Sequence, residues 1–141
     1  MGRIIKTGSA GKDRIYLEKG IVLAIRELSR QNGLDESTRD LLAFIALSLK
    51  AIGATIDASV AAWEKRGYWI KADRYRMEWM WAEQLGGKME QVILKEDWGD
   101  VARITAQVTQ KLSKVNVPQR NRLGNPWVGS YQKLINLNTS K

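Results

Sequence analysis

The chain has 141 residues, 44% hydrophobic and 27% charged, which suits one soluble domain able to bury a core without staples. It contains neither cysteine nor histidine, which excludes disulfides, thiolate or imidazole metal sites, and every nucleophile pair that needs either residue. Its formal charge of +8 is uneven: residues 1–30 carry seven Lys and Arg against three acids, residues 31–100 nine against twelve, and no acid follows Asp100. Two basic ends favour polyanions or an acidic protein surface as partners.

Positions 1–12, MGRIIKTGSAGK, read as a flexible leader. The apolar run IVLAI is too short for a secretory signal, and Lys6 stands where a myristoylation signal needs Ser or Thr, so a cytoplasmic protein is expected. TGSAGKD, Thr7 to Asp13, joins glycines to a lysine, but it lacks the spacing, the hydroxyl after the lysine and the preceding strand of a phosphate loop.

A first helix is expected over about 13–30, where Leu17, Ile21, Ala24 and Leu28 recur at helical spacing around Gly20. QNGLDEST then supplies a turn, with Asp35 placed to cap a second helix over about 36–66 that stops at Gly67. Between Leu41 and Trp63 that helix carries only Lys50 and Asp57 as charges. Its apolar residues would gain roughly 4 kcal/mol on entering a bilayer and the two charges would cost about 5–7, so no membrane partner is expected and the helix reads as buried in protein. Lys50, Asp57 and Glu64, seven apart, read as a thin solvent-facing line. The small residues Ala51, Gly53, Ala54, Thr55, Ala58 and Ser59 leave room for a close neighbour.

That neighbour is a third helix over about 68–95, whose opening stretch YWIKADRYRMEWMW threads basic side chains among aromatic ones. Exposed, it would be a stacking platform for single-stranded nucleic acid. The 4-3-4 spacing of Tyr68, Ala72, Tyr75, Trp79, Ala82, Gly86, Met89 and Ile93 instead makes an unbroken seam to pack on the second helix. Ile70, Met77 and Trp81 form a second stripe on nearly the opposite side. Glu78, Glu83 and Glu90 read as surface carboxylates, since a di-iron bundle needs histidines as well.

KEDWGD marks a break with Asp97 or Asp100 as the cap of a fourth helix to about Val115, striped by Val101, Ile104, Val108, Leu112 and Val115. Residues 116–141, with both prolines and a cluster of Asn, Gly and Ser, read as an extended basic tail docking through Leu123, Trp127, Val128 and Tyr131.

The expectation is an all-α bundle of three to four helices on a long antiparallel hairpin (about 36–66 and 68–95), with residues 13–115 as the domain. The second helix is apolar around most of its girth and the third has two stripes, so a homo-oligomer or a subunit of a larger assembly is expected. The leading function is a non-enzymatic interaction or scaffold protein, with Trp69, Met77, Trp81, Trp127 and Tyr131 as interface candidates. The alternative is nucleic-acid binding through the basic ends, with Lys111, Lys114, Arg120, Arg122 and Lys133 meeting phosphates. No catalytic, cofactor or metal residue stands out.

Overall fold

The computed structural model describes residues 9–139 and is all-helical, with five helices packed against one another and no strand among the described residues. They are α1 (Ala10–Leu28), α2 (Glu36–Lys65), α3 (Trp69–Leu94), α4 (Trp98–Lys111) and α5 (Ser130–Thr139). Of the phosphate-loop resemblance, Thr7 and Gly8 lie outside the described residues, as does the rest of the leader before Ser9. Its end, from Ala10, belongs to α1, which starts three residues earlier than expected because the Ser9 hydroxyl accepts a hydrogen bond from the Lys12 amide.

Local signals set most helix ends. The Asp35 carboxylate accepts from the Thr38 amide at 2.8 Å, and this bond holds its pKa below the usual range. α2 ends in a Schellman motif: Gly67 takes φ +84°, its amide donates to the Glu64 carbonyl, and the Tyr68 amide reaches back to that of Trp63. The same pattern closes α3 without a glycine, since Glu96 adopts φ 57° and the Asp97 amide donates to the Val92 carbonyl. The Asp97 side chain then caps α4 through the Asp100 amide.

α2 is the centre of the molecule. Leu41, Ile45, Leu49 and Ile52 are fully buried, and α1, α3 and α5 all pack on this helix. Against α3 the contacts run in reverse order along the two helices, from Trp63 on Tyr75 through Gly53 on Glu83 to Leu49 on Gly86. The approach is closest at Gly86, where a Cβ would stand 2.9 Å from the Leu49 Cβ, so only glycine fits. At Gly20 α1 also comes close, since a Cβ would stand 3.2 Å from the Phe44 ring, which would have to shift by a few tenths of an ångström.

Lys50 is exposed, as the solvent-facing line requires, but it is also paired. Its Nζ donates at 2.7 Å to Glu90, a buried carboxylate that also accepts from Asn138 of α5 at 2.9 Å. Glu90 is therefore an interior ion-pair partner, unlike the surface carboxylate expected. With Lys50 and Asn138 it ties α2, α3 and α5 together. Asp57 is exposed, and Glu64 pairs with Arg76 at 3.0 Å.

The segment after α4 corrects the expectation of an extended tail. Val117, Trp127, Ser130 and Leu134 are buried, and residues 130–139 are helical. Asp40, itself buried on α2, accepts from the Gly129 amide at 3.1 Å and the Tyr131 amide at 2.9 Å, satisfying backbone donors at the start of α5. Trp127 packs edge-on against Phe44 at 6.5 Å, and Arg26 donates to the carbonyls of Val117 and Pro118. The fold thus has a fifth helix, and its anchor, Asp40, lies about one turn into α2.

Candidate interaction surface

Several of the aromatic and basic residues that open α3 are engaged by rings and cations of the neighbouring helices. Lys71 lies over the Trp63 ring at 4.5 Å, and Trp63 meets Tyr75 edge-on at 4.8 Å. Arg14 of α1 hydrogen-bonds the Tyr75 hydroxyl and stacks on Trp79 at 4.9 Å. Trp79 stacks on Trp81 at 5.7 Å, and Lys111 of α4 covers Trp81 at 5.9 Å. The result is a continuous chain of rings and cations across α1, α2, α3 and α4, its rings and Arg14 half-buried and its end cations Lys71 and Lys111 exposed. Glu18 supports it by pairing with Arg14 at 3.2 Å, and burial pushes its carboxyl above the usual pKa despite that neighbour.

Three residues at the start of α3 escape this run of rings and cations, and two further along do so. Tyr68 is 54% exposed, Trp69 60%, Ile70 72%, Met77 74% and Met80 46%. Tyr68 therefore departs from the packing expected of the seam: it is the residue just after the Gly67 turn, beyond the reach of α2. The rest of the seam holds, with Ala72, Ala82, Gly86, Met89 and Ile93 buried and Tyr75 and Trp79 half-buried. Ile70, Met77 and Met80 lie at i, i+7 and i+10, one row about 15 Å long on a single face of α3.

Of the interface candidates, Trp69 and Met77 are on this surface. Trp81 turns inward onto Trp79, and Met80, which periodicity did not single out, is exposed beside it. Trp127 is spent in the chain's own core, and Tyr131 is half-buried under Arg39, whose guanidinium lies between the Trp98 and Tyr131 rings. Neither offers an exposed anchor. Among the nucleic-acid candidates, Lys111, Lys114, Arg120 and Arg122 are exposed and Lys133 is half-buried. They do not share one element, since Lys111 closes α4, Lys114, Arg120 and Arg122 follow it, and Lys133 is in α5.

Lys133 lines a largely apolar cleft with Tyr16, Phe44, Leu47, Ser48 and Pro126. With a volume of about 30 Å³, the cleft has room for a water molecule and not for a substrate. Among the described residues no group of three or more acids converges as a metal ligand set. No family model, curated protein or solved structure matches the chain.

Proposed function

We propose that this chain is a non-enzymatic interaction or scaffold protein that self-associates or joins a larger assembly through the outer face of α3, on a bundle whose frame is the antiparallel α2–α3 hairpin. One observation carries the reading: Ile70 and Met77, nearly three-quarters exposed on one row, stand against a core whose other long aliphatic side chains are mostly covered. Bare rows of this kind favour association, because each large apolar side chain withdrawn from water gains about 1.5–3 kcal/mol. Light scattering of the purified chain tests it. Self-association insensitive to salt is expected, and Met77→Glu shifts the distribution to monomer while the helical circular dichroism is unchanged. A wild-type chain monomeric at high concentration and without affinity for any helical partner sinks the reading.

The alternative, nucleic-acid binding, keeps its exposed cations Lys111, Lys114, Arg120 and Arg122, but of the rings expected to stack on bases Trp127 is buried in the core and Tyr131 is half-buried beneath Arg39. It would act through phosphate contacts alone and fade steeply with salt.

A further inference from the structure

The turn between α2 and α3 has a second property, its cations and Trp69, that association along the Met77 row does not use, although Ile70 belongs to both surfaces. From Lys65 to Ala72 the chain carries Lys65, Arg66 and Lys71 and no acid, and Arg74 follows on the next turn of α3. All four are exposed and none belongs to an ion pair among the described residues; Lys71 lies over the Trp63 ring, a contact that leaves its ammonium open to solvent on the other side. The nearest acids, Glu64 and Asp73, are both engaged by Arg76 at 3.0 and 2.6 Å. Between the cations stand Tyr68, Trp69 and Ile70, lining an open groove with Gly67 and Lys71.

We propose that this turn docks onto an anionic membrane surface, with Lys65, Arg66, Lys71 and Arg74 among the lipid phosphates and carboxylates and Trp69 and Ile70 entering the boundary between headgroups and acyl chains. The chemistry matches that layer: Trp and Tyr settle at headgroup depth, and juxtaposed Lys and Arg answer the negative potential of an anionic leaflet. Apolar area and charge favour a bilayer over a second copy of this chain. The three exposed side chains offer roughly 400 Å², half of the roughly 800 Å² that each partner gives to a standard protein interface. A second copy meeting the turn with its own turn would set four cations against four. A soft anionic surface needs no concave wall to receive a convex end. The cost of Lys50 and Asp57 argues against α2 spanning a bilayer, whereas a turn lying on the surface leaves both residues where they are.

Co-sedimentation of the full chain with phosphatidylcholine vesicles, with and without phosphatidylserine, tests the assignment. Binding is expected to the anionic vesicles at low salt, to weaken as salt screens the cations, and to be slight on phosphatidylcholine alone. Arg66→Gln and Lys71→Gln each weaken partitioning about fivefold. Trp69→Ala weakens it about tenfold and removes a blue shift of tryptophan emission on binding. Met77→Glu leaves vesicle binding intact while it disperses the oligomer, so failure of one surface is distinguishable from failure of the other. No sedimentation with anionic vesicles at low salt overturns the proposal. So does vesicle binding indifferent to Arg66, Lys71 and Trp69, or equal binding to soluble polyglutamate that ignores Trp69→Ala and so marks an acidic protein as the partner.

Discussion

α2 and α3 lie side by side, and they stand in opposite relation to the rest of the chain. α2 is the more apolar, yet α1, α3 and α5 cover it, and Leu41, Ile45, Leu49 and Ile52 are wholly buried. α3 is less apolar on average, yet it leaves Trp69, Ile70 and Met77 bare. The difference teaches that greasy perimeter alone does not locate an interface. The deciding quantity is how many of its own elements the chain brings to each face. Sequence reasoning assigned the surplus to both helices, and α5 removes it from one of them.

Three substitutions sharpen the contrast. Ile52→Ala leaves a cavity at the covered face, and urea unfolding is expected to show a loss of about 2–5 kcal/mol; a loss under about 1 kcal/mol would mean that the face is looser than described. Asp40→Ala removes the acceptor for two amides at the start of α5, a cost of about 2 kcal/mol. Amide exchange should speed up first over residues 129–134 and then along the α2 side that α5 shields. Met77→Ser, on the open face, is expected to leave monomer stability within about 0.5 kcal/mol. A larger loss, measured at a concentration where only monomer is present, would show that the row is packed after all.

What the sequence made legible is what short-range chemistry decides. Asp35, Gly67 and Asp97 each act on residues a few positions away, so their capping roles are visible in the string itself. The seam of α3 and the stripe of Val101, Ile104, Val108 and Leu112 follow from periodicity; the stripe is buried, and so is the seam apart from exposed Tyr68 and half-buried Tyr75 and Trp79. Residues 116–139 were illegible because their order comes from distant partners. Asn, Gly and Pro there signal a loop correctly as far as Pro126, but the cap of α5 is a carboxylate on another helix, and Trp127 has a place only because Phe44 supplies it. Glu90 was misread for a similar reason: its partners Lys50 and Asn138 lie 40 and 48 positions away. Within the interaction surface, spacing found Met77 and Ile70, whereas the exchange of Trp81 for Met80 depends on ring stacking, which spacing does not encode.

The long reach of Asp40 to the Tyr131 amide, 91 positions on, also sets a timetable. A ribosome adding about 5–20 residues each second makes Asp40 roughly 5–20 s before Tyr131 exists. Throughout that interval the nascent chain presents Phe44 and its neighbours without their lid. The helix that ends as the most sheltered part of the protein is thus, while the protein is being made, its most vulnerable one.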